Sequence, residues 1–244
     1  MRRRTVVISL ALTVLVCTAV VAGAQSAYYW AEYWLDMGLE ASTAGDYEQA
    51  IGYFTKSIEM DPTYAYTYEN RGLAYSNLGR YVEAVADYTK VIELDPGYVI
   101  AYNNRGWAYN ELGRYSDALA DLNTAIELGL YLGPVFSTRG TVYKNLGRYD
   151  EAIADCTKAI EIESGLLDAY KNRGGVYAML GRYHEALSDY TKVIDEVPGF
   201  APAYYRRGLI YIELGEMEKA KADFAYACER GEEEACDALD ALEE

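Results

Sequence analysis

The residue types that carry most enzyme chemistry are scarce in this chain and poorly spaced for it. His184 is the sole histidine among 244 residues, and cysteine occurs at positions 17, 156, 228 and 236. One histidine with no cysteine or second histidine close by cannot complete a zinc tetrad or serve as the base of a convincing triad. No glycine-rich phosphate loop is present either. Carboxylates are plentiful, 38 in all, but they fall along helical faces as solvated charge. The expectation is a protein with no catalysis, no cofactor and no metal.

Two cysteines have an arguable geometry. Cys228 and Cys236 stand eight residues apart, and in one continuous helix that separation is about 12 Å, beyond the roughly 7 Å Cα limit of a disulfide. Gly231 lies between them and would allow a turn that folds a short last helix, roughly residues 233 to 243, back on the preceding one. Two readings stay open on spacing alone: a bonded pair, or two small core residues in a capping helix.

The elements that must position these residues follow from a repeat. Glycine falls at 38, 72, 106, 140, 174 and 208, and again at 45, 79, 113, 147, 181 and 215, while alanine falls at 50, 84, 118, 152, 186 and 220. Every step is 34 residues. A period of this size signals a solenoid, in which each repeat buries its apolar face only against its neighbours. Within a repeat, apolar residues recur at three and four spacings on both sides of the second glycine, which predicts two amphipathic helices and a tight turn. In the second repeat these are residues 65–78 and 81–94, with Gly79 reversing the chain and Gly72 facing Ala84 at a close approach.

The pattern resembles the tetratricopeptide repeat (TPR) family, which reads Trp-x2-Leu-Gly-x2-Tyr, then Ala-x3-Phe, then Pro. Trp34, Met37, Gly38, Ala50, Phe54 and Pro62 carry it in the first repeat, and Tyr102, Gly106, Tyr109, Ala118 and Leu122 in the third. The resemblance implies an all-α, right-handed superhelical solenoid of six repeats, 31–64, 65–98, 99–132, 133–166, 167–200 and 201–234. A short extension, 25–30, precedes them and a capping helix, 235–244, follows. The late proline recurs as Pro96 and Pro198 but is replaced by Leu130, Ser164 and Glu232. The spacing of Cys228 and Cys236 is similar to the cross-brace of Sel1-like repeats, which implies a disulfide between them. Cys156 takes a packing position and is expected to be an inert thiol.

Counting the first residue of each repeat as position 1, 16 of the 26 tyrosines stand at positions 4, 11, 17 or 24, so they are expected in the core rather than in an aromatic binding box. Repeats two to six carry arginine at position 7 (71, 105, 139, 173, 207) and aspartate at position 23 (87, 121, 155, 189, 223), and the first repeat has Met37 and Tyr53 instead. The two positions are equidistant from the turn, which predicts an Arg–Asp pair across each hairpin. His184 stands at position 18, where other repeats carry Glu, Val, Ser or Asp, and is expected to face solvent.

Function is expected where the template leaves freedom. In TPR proteins positions 2, 5, 6, 9, 12 and 13 of the first helix line a concave groove that receives a partner segment. Position 6 returns asparagine at Asn70, Asn104 and Asn172. An amide offers both a donor and an acceptor to an extended main chain, although the asparagines also fit simple duplication of the template. Trp107, among Asn103, Asn104 and Asn110 and one repeat after Tyr66, Leu73 and Asn77, is a candidate anchor. It could equally pack on the neighbouring first, inner helix. Lys144, Lys171 and Arg206 form a basic island fit to meet a carboxylate. They resemble only in part the carboxylate clamp of chaperone-binding TPRs, because Gly175 and Pro202 replace its Asn and Lys.

The first segment, MRRRTVVISLALTVLVCTAVVAGAQS, reads as a secretory signal of residues 1–24, with Ala22-Gly23-Ala24 as the cleavage site. The run of residues 5–24 is also about long enough to span a bilayer as an uncleaved anchor. A lipoprotein signal through Cys17 is weaker, because Val16 is bulky. The main part is therefore expected to be exported, periplasmic or extracellular, with membrane contact only through that run. The whole chain carries 38 acids and 22 bases, a formal charge of −16, and loss of three arginines and no acid takes it to −19. Such a chain repels nucleic acid. The expected function is a non-enzymatic protein–protein interaction module or scaffold. The alternative is a self-assembling homo-oligomer in which the segment AQSAYYWAEYW enters a neighbour's groove.

Overall fold

The computed structural model describes residues 28–242. The signal or anchor segment 1–24, Cys17 and the start of the 25–30 extension lie outside the described residues. Among the described residues the fold is all-α. Helix α1 covers 28–43, followed by α2 (Tyr47–Met60), α3 (Ala65–Asn77), α4 (Tyr81–Leu94) and α5 (Val99–Glu111). Then come α6 (Tyr115–Glu127), α7 (Gly133–Asn145), α8 (Tyr149–Ile162), α9 (Leu167–Met179), α10 (Tyr183–Glu196), α11 (Ala201–Glu213), α12 (Met217–Cys228) and α13 (Glu233–Asp240). No described helix is long and apolar enough to cross a membrane. The chain forms two compact bodies, one up to Arg114 and one from Tyr115, so the third repeat is divided between them.

Two glycine positions set the hairpin. Gly79 sits at φ +71, a backbone region that a side chain would strain, and it lets α3 reverse into α4. Gly72 lets the helices close: a Cβ there would lie 2.8 Å from the Tyr88 ring. The expected partner Ala84 is fully buried, but it is the large position-24 side chain that fills the space over the glycine. Gly38 and Phe54, Gly140 and Cys156, and Gly208 and Phe224 repeat the relation.

The tyrosines divide in a way the pattern did not predict. Tyr68, Tyr88 and Tyr190 are buried, whereas the position-11 tyrosines are half-buried plates for arginine. Arg80, Arg148 and Arg182, each at the residue just before a second helix, lie 4.4 to 4.6 Å over Tyr75, Tyr143 and Tyr177. The same arginines pair with Glu83, Glu151 and Glu185.

At the end of the second body Gly231 (φ +87) turns the chain. Helix α13 folds back on α12, with Ala235 buried beside Ala227 and Phe224. Cys228 and Cys236 are joined by a disulfide across this turn, their Cα atoms 4.8 Å apart. Cys156 is buried and unbonded, and burial pushes its thiol up to about 12.

Candidate binding faces of the first helices

The first helices are held by a three-helix brace. The Arg71 guanidinium donates through Nε and Nη2 to the two oxygens of Asp87, at 2.8 and 2.7 Å, and through Nη1 to Thr55 Oγ1 at 3.1 Å. Arg139, Arg173 and Arg207 do the same with Asp155, Asp189 and Asp223. Their Nη1 groups reach Asn123, Thr157 and Thr191 on the preceding repeat. Four predicted Arg–Asp pairs are thus present. The residues of the fifth, Arg105 and Asp121, belong to different bodies, though Arg105 reaches Thr89 at 3.0 Å within the first. The hydrogen bonds these guanidinium groups donate to the carboxylates raise the pKa of Arg139, Arg173 and Arg207 above the ordinary value, so these groups stay charged.

The threonine arm was missed in the sequence, yet its signal is there. Position 25 reads Thr55, Thr89, Asn123, Thr157 and Thr191 in repeats one to five and Ala225 in the sixth. It is polar in each repeat that precedes an arginine and apolar in the one that does not.

With the brace fixing its inward side, each first helix presents an opposite stripe. In the first body Tyr66, Asn70, Leu73 and Asn77 follow at four, three and four residues along α3, one face of a helix. Tyr66, Leu73 and Asn77 are exposed and Asn70 is half-exposed. Asn70 Nδ2 donates to the Tyr66 carbonyl at 2.8 Å and Asn77 Nδ2 to the Leu73 carbonyl at 2.9 Å, so each amide bonds back to its own helix. On α5, Asn104 accepts from Asn103 at 3.2 Å. The Asn103 oxygen is itself buried without a partner, and Asn110 is buried against Glu111. Trp107 packs not on the neighbouring first helix α3 but on the second helix α4 of the preceding repeat. It packs edge-on to Tyr81, ring centroids 5.4 Å apart, and stays 36% exposed.

In the second body the basic island lines a cavity of about 700 Å³ between α7, α9, α10 and α11. Lys144 comes from α7, Lys171 from α9 and Arg206 from α11. Met179, Phe200, Leu209 and Ile212 supply an apolar wall that the sequence reading did not gather. Gly175 and Pro202 line the same space, and their short side chains help to leave it open. Lys171 pairs with Asp168 at 2.6 Å and lies 5.0 Å from the Phe200 ring. Among the described residues neither Lys144 nor Arg206 has an acidic partner within ion-pair distance. Burial pushes Lys144 below the ordinary lysine range, and repulsion from Arg206 adds to that. Asn172, predicted as part of the ladder, instead donates to Ser137 Oγ at 3.4 Å. No group of three or more His, Cys, Asp or Glu able to hold a metal occurs among the described residues, and His184 is exposed.

Three family models, each described as a tetratricopeptide repeat, match residues 31–64, 65–98, 87–120, 134–165 and 201–230. The chain belongs to the tetratricopeptide repeat family. The models say nothing for Sel1-like repeats, so that likeness remains one of cysteine spacing. Among solved structures, the TPR protein resembles YrrB, described as a TPR protein with an unusual peptide-binding site. The two are 29% identical over 76% of this chain and 96% of that one, with a TM-score of 0.58. A tetratricopeptide repeat protein from Parabacteroides merdae is 24% identical, covers 88% of this chain and 84% of its own, and gives a TM-score of 0.71. The Cut9–Hcn1 hetero-tetramer of APC/C gives a TM-score of 0.79 at 21% identity over 88% of this chain, which spans only 43% of that one. The last two likenesses concern the fold alone. Comparison with curated proteins yields no match.

Proposed function

We propose that this TPR protein is a non-enzymatic interaction module that binds a segment of another protein, with the cavity between α7, α9 and α11 as its selective site. The observation that carries the reading is Lys144, half-buried and without an acidic group at ion-pair distance, lining with the exposed Arg206 a cavity that has an apolar wall. A desolvated ammonium beside a second cation is held at a cost that an incoming carboxylate offsets, because charge-assisted hydrogen bonds strengthen as water leaves. The wall of Met179, Phe200, Leu209 and Ile212 takes an apolar side chain next to that carboxylate. The ligand class is therefore a peptide segment pairing an acidic group with a bulky apolar residue. The exposed stripe on α3 and the Trp107 face are a second surface, suited to lateral contacts. The peptide-binding description of YrrB, at 29% identity, supports the general reading.

The location we propose is outside the cytoplasm. The reading of residues 1–24 supports it, and the Cys228–Cys236 bond fits an oxidising compartment.

A peptide array that varies acidic and apolar residues, probed with the full chain, tests the site. Peptides carrying both features should be retained, and neutralising Lys144 and Arg206 together as Met should weaken them by about 10- to 100-fold, the worth of one or two charge-assisted bonds. Equal retention by the folded double variant would move binding out of the cavity.

A further inference from the structure

The start of α1 carries an aromatic surface that packing does not explain. Tyr28, Tyr29, Trp30 and Tyr33 are 55%, 63%, 46% and 42% exposed. They nevertheless form a chain of edge contacts, Tyr29 to Trp30 at 5.7 Å, Trp30 to Tyr33 at 5.6 Å and Tyr33 to Trp34 at 5.0 Å. Tyr64 and Tyr66, ring centroids 6.2 Å apart, are further exposed aromatics in the first body, and the Tyr28 hydroxyl donates a hydrogen bond to Glu32. The core side of α1 is marked by Ala31, Leu35 and Gly38. Tyr29 and Tyr33 point the opposite way, and on that outward face the next residues are Asp36 and Glu40. One acid, Glu32, stands beside the rings and is hydrogen-bonded by Tyr28, and beyond Tyr33 the outward residues are acids only.

We infer that this face docks on the headgroup region of an electrically neutral bilayer. Three observations choose that occupant. The exposed large groups at the start of α1, Tyr28, Tyr29, Trp30 and Tyr33, are all amphipathic rings with a polar tip, the types that settle where acyl chains meet headgroups. The inference rests on the reading of residues 5–24 as an uncleaved anchor, and the patch begins four residues after that run, which is long enough to reach across a bilayer. With its axis along the bilayer normal, α1 would rise about 8 Å from Tyr28 to Tyr33, close to the ~5–7 Å depth of the interfacial layer on one side, which would leave Asp36 in water. Glu32, Asp36 and Glu40 on the same helix exclude an anionic surface, so the match is to zwitterionic lipid. The inference is independent of the cavity in the second body.

The test is hydroxyl-radical labelling, read by mass spectrometry, on the unsubstituted full chain reconstituted in phosphatidylcholine vesicles. Tyr131, 54% exposed in the second body, is the internal reference. The expected result is that Tyr29, Trp30 and Tyr33 label several-fold more slowly than Tyr131, and that replacing the lipid with phosphatidylglycerol restores their labelling. Labelling at the rate of Tyr131 would mean that the apolar run tethers the chain while the aromatic face stays in water, which overturns the inference. Protection that follows protein density at fixed lipid would assign the face to a second copy, and that also overturns it.

Discussion

Arg173 Nη1 donates to Thr157 Oγ1 at 2.9 Å, while Nε and Nη2 of the same guanidinium hold both oxygens of Asp189 at 2.9 and 2.8 Å. One side chain thus ties its own hairpin shut and ties that hairpin to the repeat before it. In a stack whose stability is a sum of repeat and interface contributions, the two jobs can be separated by substitution.

Thr157→Val keeps the shape and removes the acceptor of the inter-repeat arm. It should cost about 0.5–1.5 kcal/mol and broaden the urea transition by weakening coupling between neighbours. Arg173→Ala leaves Asp189 buried and uncompensated and should cost about 3–5 kcal/mol. Arg173→Ala with Asp189→Ala should cost less than the two single losses together, and additive losses in the cycle would refute the pair.

Gly208 tests the close approach. A Cβ at that position would stand 2.5 Å from the Phe224 ring, whereas one at Gly199 would meet nothing within 4 Å. Gly208→Ala should therefore destabilise by about 1–3 kcal/mol through overpacking, and Phe224→Leu in the same chain should recover part of it. Gly199→Ala should stay within about 0.5 kcal/mol of the parent. Equal effects at the two sites in thermal melts would contradict the packing described.

The Arg–Glu pairs predict an acid dependence. Hydrogen bonds from Arg80, Arg148 and Arg182 hold the Glu83, Glu151 and Glu185 carboxyls below the usual carboxylate range, and the N–H at each helix start adds to this. A folded-state pKa below the unfolded one means that the unfolded chain binds protons first as pH falls. The contribution is complete above the ordinary glutamate range and is lost as pH drops through the folded values. Replacing all three by Gln should lower Tm at neutral pH and leave it nearly unchanged in strong acid. A gap constant across pH would show that the charges do not matter.

Much of this fold is written in the 34-residue period, because a repeat reports the same constraint six times. Gly72 and Gly79 announced the hairpin, and Arg71 with Asp87 announced its brace. The partner of Gly72 was misread because the pattern shows which residue is small, while which ring covers it depends on helix rotation. Thr55 escaped notice because a threonine on a helix is unremarkable until its counterpart is seen to be an arginine sixteen residues later. The site was only half legible. Lys144, Lys171 and Arg206 stood out by charge in an acidic chain. Met179 and Phe200 looked like ordinary apolar positions, since only three dimensions bring them to the same cavity. The asparagines carry a local feature that spacing does not display: Asn70 and Asn77 donate their amide N–H groups to carbonyls one turn back.

Lys144 should trade stability for binding. It is half-buried, without an acid at ion-pair distance and repelled by Arg206, so Lys144→Met should stabilise the free protein by about 0.5–2 kcal/mol. The pH dependence has a definite sign. Burial lowers the lysine pKa in the fold, so between the folded and ordinary values the unfolded chain binds the extra proton, and wild-type stability rises with pH across that window. The advantage of the Met variant should therefore be largest at neutral pH and shrink toward the ordinary lysine range. The same variant should lose affinity for acidic-apolar peptides, and saturating peptide should raise the Tm of the wild type more than that of the variant. A Lys144→Met chain that is less stable than the parent would make the lysine a structural residue and remove the cavity's claim to a carboxylate.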